Sequence, residues 1–272
     1  MLAAHDFDFI CRLVRERAAI VLEPGKEYLA QSRLEPVAKE AGLGSVTELV
    51  AALRTGTSRG LHDKVIDAMT TNETSFFRDN HPYESLRKSI LPEIIERNAS
   101  RRSLDIWCCA SSTGQEPYSV ALTIKEHFPE LSTWRVNIRA TDISPSALDK
   151  ARSGRFSQLE VNRGLPVTLL VKWFTRQGAF WEIDPSIRSL VSFELQNLAA
   201  PWMATMPYDL VLLRNVLIYF DLETKRQILG QVRKVLRPGG YLLLGGSETT
   251  LAIDNNYERV TMDRTGWHRP IK

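Results

Sequence analysis

Three short segments of this 272-residue chain end an apolar run on residues suited to holding a polar ligand. The first reads Trp107-Cys-Cys-Ala-Ser-Ser-Thr-Gly-Gln-Glu-Pro-Tyr-Ser119: a strand, a turn of small residues, and a helix expected to open at Pro117. Small side chains let a ligand approach the backbone, and a helix start presents unpaired N–H groups. Gly114 is its one glycine, so it is not the Gly-x-Gly-x-x-Gly dinucleotide fingerprint. An acid at the helix start, Glu116, would repel a pyrophosphate and suits a cofactor that carries positive charge. The second segment, Ala140-Thr-Asp-Ile-Ser144, ends a strand on Asp142, an acid placed to accept from the two hydroxyls of a ribose. The competing reading, that Asp142 only caps the next helix, is weakened because Ser144 can do the capping. In the third, the apolar run 210–213 stops at Arg214–Asn215, with Tyr219 four residues on. If the chain turned helical there, Asn215 and Tyr219 would share a face. The bland alternative ties Arg214 to Asp221 in a surface ion pair. Asn72, Thr74 and Arg78 lie upstream, and an arginine there can grip a carboxylate bidentately. Ligands in open α/β sheets collect at the carboxyl ends of strands, so these segments together indicate a nucleoside-type cofactor.

The elements needed to position them are legible. Residues 1–69 read as a helical bundle, with Phe7, Ile10, Cys11, Leu13 and Val14, then Leu29, Leu34 and Val37, at helical spacing. Ser45-Val-Thr-Glu48 is a capping-box pattern opening a third helix, and Leu61, Val65, Ile66 and Met69 mark a fourth. Residues 70–80 are polar but contain Phe76–Phe77, which predicts an ordered linker packed against the next domain. From 81 to 272 the pattern alternates: one helix through Tyr83, Leu86, Ile90 and Ile95, strands at 104–109, 134–141, 210–213 and 241–244, and helices from Pro117, Pro145 and Leu222. Such alternation predicts a largely parallel, doubly wound sheet. The stretch 155–195 breaks the rhythm. Runs at 180–183 and 190–193 predict short antiparallel strands, with Asp184-Pro185 turning between them.

Composition excludes several classes. Apolar residues are 43% and charged residues 25%, ordinary for a globular protein. No apolar run reaches the roughly 20 residues that span a bilayer, and the first residues lack a basic stretch followed by an apolar one. Cys11, Cys108 and Cys109 suggest neither a disulfide framework nor a zinc site, and point to a reducing compartment. The net charge of +3 is too small to predict nucleic-acid binding.

Four motifs in order, Thr70-Thr-Asn-Glu-Thr-Ser-Phe-Phe-Arg-Asp79, Ser-Thr-Gly-Gln-Glu-Pro-Tyr-Ser119, Ala-Thr-Asp-Ile-Ser144 and Arg-Asn-Val-Leu-Ile-Tyr-Phe-Asp221, with Gly-Gly-Ser-Glu248 behind them, resemble the chemotaxis receptor methyltransferases of the CheR family over nearly the whole chain. The resemblance implies a protein-glutamate O-methyltransferase: an all-α N-terminal domain, a linker, and a Rossmann-like class I methyltransferase domain carrying a small antiparallel β-subdomain. It implies S-adenosylmethionine as cofactor, S-adenosylhomocysteine as product, and the cytoplasmic helices of chemoreceptors as partners. Carried over by motif, the cofactor-contacting positions are Asn72, Thr74, Arg78, Glu116, Asp142, Asn197, Leu198, Arg214 and Asn215. Tyr219 and Arg78 are the catalytic candidates, Tyr219 to orient the incoming carboxylate and Arg78 to bind the cofactor's carboxylate, with Glu116 on its ammonium. Gln115 and Ser111 depart from residues common in the family. Arg54, Arg59 and Lys64 are candidate docking residues for acidic receptor helices. A shorter β-excursion around 177–183 suggests independence of a receptor C-terminal pentapeptide. A cytoplasmic monomer is expected. The rival readings are a class I methyltransferase of a small molecule and a non-catalytic cofactor-sensing module.

Overall fold

A computed structural model describes residues 2–56, 60–202 and 206–271. The chain divides into two compact units: Met1–Thr71 with Ile218–Lys225, and Asn72–Leu217 with Arg226–Lys272.

The first unit is built on four helices, α1 (Ala4–Ala18), α2 (Glu27–Glu40), α3 (Val46–Thr55) and α4 (Leu61–Met69). Each turns one apolar face inward, with Ile10, Val14, Leu34, Leu49 and Val65 fully buried, as the spacing predicts. The capping box forms only in part. Ser45 Oγ accepts from Glu48 N–H at 3.1 Å, but the Glu48 carboxylate takes the N–H of Gly44 at 2.9 Å instead of that of Ser45. Arg33 donates to the carbonyls of Met69 and Thr70 at 2.8 and 3.1 Å, fixing the chain just past α4.

The second unit contains a seven-stranded sheet. Its strands are β1 (Ser103–Cys109), β2 (Arg135–Asp142), β6 (Val191–Leu195), β7 (Tyr208–Leu213), β8 (Leu236–Leu244), β9 (Tyr257–Met262) and β10 (Thr265–Pro270), in the order β6-β2-β1-β7-β8-β10-β9. The first five run parallel, and β10 and β9 complete the sheet antiparallel. β1 and β7 are buried at every position, which is why they read as largely apolar runs. Their two interior charges, Asp105 and Asp209, are fully buried and held by arginines. Arg135 reaches both oxygens of Asp105 at 3.0 Å, and Arg101 both oxygens of Asp209 at 2.8 and 3.0 Å. A bulge at Tyr208/Leu210 lets β8 begin at Leu236, so the Arg237-Pro-Gly-Gly240 stop ends the helix but lies within the strand.

Three local expectations need correction. The helix through Tyr83 and Ile95 is two α-helical pieces around a π-turn at Leu86–Ile90, because Pro92 has no N–H to return to the preceding turn. The helix after β1 starts at Gln115, two residues before Pro117. The run at 190–193 does not pair antiparallel with 180–183: Val191–Leu195 lies parallel to β2 at the edge of the main sheet. Asp184 accepts from Ser186 N–H at 2.7 Å and Pro185 takes the first helical position, so the dipeptide opens a short helix, not a hairpin. The small antiparallel sheet is instead β3 (Arg155–Ser157), β5 (Phe180–Ile183) and β4 (Phe174–Gln177), in that order.

The linker is ordered. Phe76 is fully buried, edge-on to Phe156 and Phe174 with ring centroids 5.0 and 5.8 Å away. Gly164, at φ +87°, allows this close approach: a Cβ there would sit 2.0 Å from the Phe76 carbonyl oxygen.

Candidate active site

The strand order reverses between β1 and β7, the switch point where open α/β sheets bind ligands. Register brings the carboxyl ends into one row: Cys109 lies opposite Thr141 on one side and Leu213 on the other, and Asp142 lies opposite Leu195. The residues just past these tips are therefore neighbours, a strand spacing of roughly 4.8 Å apart.

On the β2 side, Asp142 accepts the N–H groups of Ser112 at 2.8 Å and Ser144 at 2.9 Å, one on each oxygen. Ser144 caps the next helix itself, its Oγ accepting from Ala147 N–H. The linker joins here: Ser112 Oγ donates to the Asn72 carbonyl at 2.9 Å, and the Asn72 amide lies 3.4 Å from Ser144 Oγ. Asn197 comes after β6, its Oδ1 accepting from Ala199 N–H, and Leu198 beside it is buried.

On the β7 side, Arg214 is the centre. It is buried, and its guanidinium donates to Glu116 at 3.0 Å, Asp79 at 2.7 Å and the Arg78 carbonyl at 3.1 Å. This overturns its pairing with Asp221, which takes Arg15 at 2.9 Å. Burial pushes the Glu116 carboxyl above its ordinary range, while the Arg214 guanidinium and then Arg78 pull it back. Burial works against the Arg214 charge, but Glu116 and its other partners outweigh it and raise the guanidinium above its ordinary value. Glu116 and Asp79 thus answer the Arg214 cation, while Arg78, whose guanidinium donates to the Glu73 carbonyl at 3.3 Å, contributes its charge to the field at Glu116. Thr74 is half-buried in the same linker.

Asn215 has φ +56°, so no helix continues from Arg214, and the expected shared face with Tyr219 does not form. Asparagine tolerates this left-handed turn better than most residues. The turn is held by Glu248, which the sequence marks only as part of a motif. Its carboxylate accepts the N–H groups of Asn215, Val216, Leu217 and Gly245 at 2.7 to 2.9 Å. Tyr219 closes a short 3-10 turn, is half-buried, and groups with the helical unit, where its carbonyl accepts from Val21 N–H at 2.9 Å. In that unit Arg54 pairs with Asp6 at 3.2 Å and Lys64 with Glu40 at 2.7 Å. Arg59 lies outside the described residues. Among the described residues no group of His, Cys, Asp and Glu is placed to hold a metal, and no helix is long and apolar enough to cross a membrane.

Two family models cover the chain: "CheR methyltransferase, all-alpha domain" matches residues 5–70, and "CheR methyltransferase, SAM binding domain" matches 72–265. The chain belongs to the CheR methyltransferase family. It is 41% identical over 263 residues to chemotaxis protein methyltransferase 1 of Pseudomonas aeruginosa, covering 95% of each chain. It is 39% identical over 260 residues to chemotaxis protein methyltransferase 1 of Vibrio cholerae, covering 94% of this chain and 93% of that one. The protein is a methyltransferase of this chemotaxis family, and S-adenosylmethionine is its cofactor.

The residues present fit that cofactor. An acid, Glu116, and a base, Arg78, whose charges influence each other are suited in chemistry to the ammonium and carboxylate of the cofactor's amino-acid end. Ser111, in the turn after β1, is buried with a hydroxyl that has no hydrogen-bond partner, a spare polar group just past the β1 tip. Asp142 is held in place by two backbone donors, one on each oxygen.

A pH dependence arises from Glu116. Its raised pKa means that the folded protein holds this proton more tightly than the unfolded chain. Its contribution to stability is therefore present at low pH and is lost as pH rises through the raised value. If Glu116 takes the cofactor's ammonium it must be ionised, and cofactor affinity then falls as pH drops through the same value. Calorimetric titration from neutral to mildly acidic pH should show this decline in the native protein and a flat profile in Glu116→Gln. A parallel decline in both would remove Glu116 from the ammonium.

Proposed function

We propose that the acceptor is the side-chain carboxylate of glutamates on the cytoplasmic helices of chemoreceptors, converted to methyl esters. The carrying observation is Arg214 held between Glu116, Asp79 and the Arg78 carbonyl at the β1/β7 switch point, within a chain of this family. Bound S-adenosylmethionine supplies an electrophilic methyl group on a sulfonium sulfur. A glutamate carboxylate, with an ordinary pKa of about 4.3, is already ionised at neutral pH and needs no general base. The protein's task is therefore orientation, worth roughly 7–11 kcal/mol in well-aligned reactions. Asp142 holds the ribose hydroxyls, Glu116 the ammonium and Arg78 the carboxylate of the cofactor, while Asn72, Thr74, Asn197, Leu198, Arg214 and Asn215 complete the contacts. The cation of Arg214 is answered by two carboxylates, so it does not clamp the incoming nucleophile, which must stay reactive. Tyr219 supplies one neutral hydrogen bond to that carboxylate, and Arg54, Arg59 and Lys64 assist receptor docking.

On this reading the protein works as a cytoplasmic monomer. The β4 and β5 strands have only four residues each, which supports a receptor interaction without a C-terminal pentapeptide tether. The test is methyl transfer to a receptor cytoplasmic fragment, with free glutamate beside it. Base-labile methyl esters are expected on the fragment alone. Transfer to free glutamate only, or cofactor binding without turnover, would replace the reading. Tyr219→Phe should keep cofactor affinity and lower kcat about tenfold or more, consistent with losing a hydrogen bond made at the reacting group.

A further inference from the structure

A cavity of about 820 Å³ opens in the second unit beside the cofactor-holding residues. Asp79 and Arg214 line one part of it, the Gly245–Leu251 segment after β8 another, and Arg259, Arg264 and His268 of the β9–β10 hairpin a third. Its position is set by strand order. The residues assigned to the cofactor stand at the tips of β6, β2, β1 and β7, and the next tips outward belong to β8 and β10. The cavity therefore lies at the tips next to those residues, on the β8–β10 side of the sheet.

The charges in the cavity wall are unevenly answered. Arg214 is paired with Glu116 and Asp79. Glu248 is saturated by four backbone donors. Asp254 lies 3.6 Å from Arg233 and accepts from Asn256 N–H. Arg259 and Arg264 are exposed and have no carboxylate partner among the described residues. Arg259 is also placed by its neighbour: it lies across β10 at Gly266, where a Cβ would come within 2.5 Å of its Nε. Within the hairpin Glu258 pairs with Arg269 at 3.2 Å and Asp263 accepts from Ser89 Oγ at 2.6 Å, which leaves Arg259 and Arg264 as its cations without an ion-pair partner among the described residues. Burial and the nearby Arg259 charge hold His268 below its ordinary range.

We propose that this cavity is the entrance for the acceptor, and that Arg259 and Arg264 recognise carboxylates flanking the accepting glutamate on an acidic helical segment. The inference rests on the glutamate reading above. Pairing an arginine with the reacting carboxylate would lower its nucleophilicity, whereas exposed arginines that engage its neighbours align the segment and speed encounter without that penalty.

The test uses the full chain and a purified chemoreceptor cytoplasmic fragment. Its three readouts are fragment affinity in the presence of S-adenosylhomocysteine, where no turnover occurs, KM and kcat for methyl transfer, and cofactor affinity. In Arg259→Glu/Arg264→Glu, fragment Kd and KM should rise about tenfold or more, as expected for reversing two interface charges, with kcat and cofactor affinity within about twofold. A fragment whose flanking glutamates are changed to lysine should recover affinity for the reversed variant. Unchanged fragment affinity in the double reversal overturns the proposal. So does an equal loss with a fragment whose flanking glutamates are already glutamine. If inorganic phosphate protects the native protein from thermal unfolding more than the variant while fragment binding is unchanged, the cavity is a small-anion site and the proposal also falls. Failure of the glutamate reading shows elsewhere, as absence of methyl esters with the native protein.

Discussion

Arg214→Met will melt on the order of 10 °C below the native protein and will bind no measurable S-adenosylmethionine. The side chain is 2% exposed, and it is the shared partner of Glu116, itself 12% exposed, and Asp79. Removing one member of a buried pair leaves the other as an uncompensated charge, at a cost of roughly 3–5 kcal/mol. For a domain of this size each kcal/mol shifts the midpoint by roughly 2–4 °C. The effect on binding comes from position, because the same guanidinium fixes the Glu116 carboxylate and the backbone of Arg78, the two residues proposed to hold the cofactor's amino-acid end. Arg214→Met/Glu116→Gln should recover part of the melting temperature, since the buried charge disappears with its partner, but none of the binding. Arg214→Lys should fall between: the charge stays, but the fork that reaches two carboxylates and a carbonyl does not. Circular-dichroism melts and calorimetry check all three, and a single mutant melting within about a degree of the native protein would mean the carboxylates find other partners.

Asp142→Ala is the second large effect, expected to weaken cofactor binding at least about tenfold. A site built to hydrogen-bond hydroxyls leaves polar groups unpaired when either side is removed. Because Asp142 also anchors Ser112 and Ser144, a loss of affinity alone does not separate ribose recognition from loop collapse. A deoxyribose analogue of S-adenosylhomocysteine does. It should bind the native protein much less well than the parent compound, whereas Asp142→Ala should scarcely distinguish the two. Unchanged affinity in Asp142→Ala, or full discrimination in it, would remove the ribose assignment.

The sequence made the row of strand tips legible because β1 and β7 are buried on both faces and end abruptly in polar residues. Arg214 was therefore visible as an interruption in an apolar pattern, and Asp142 as the acid that ends a strand two residues before a helix cap. The contacts of each side chain were not visible. The partner of Arg214 comes from the start of a helix 98 positions earlier and from the linker, a conjunction no local spacing encodes. Glu248 stands after a Gly-Gly pair, and an acid after a turn looks the same whether it faces water or gathers four backbone donors. The failed helix at Asn215 has a related cause: periodicity assumes right-handed backbone, and one left-handed residue cancels it. The misplaced strand at 190–193 shows that a short apolar run does not say which sheet it joins.

Around the crevice, Phe77, Asp79, Asn80, Ala110, Ser112 and Asn215 all hold positive φ without being glycine. Such conformations cost on the order of 1–3 kcal/mol each and persist only when the surroundings over-determine them. A search for hardier variants of this protein would thus be drawn to glycine at these positions, where relief of torsional strain raises the melting point. The same exchange would loosen the backbone that aims Asp142, Glu116 and Arg214, so gains in robustness taken there should come with slower turnover.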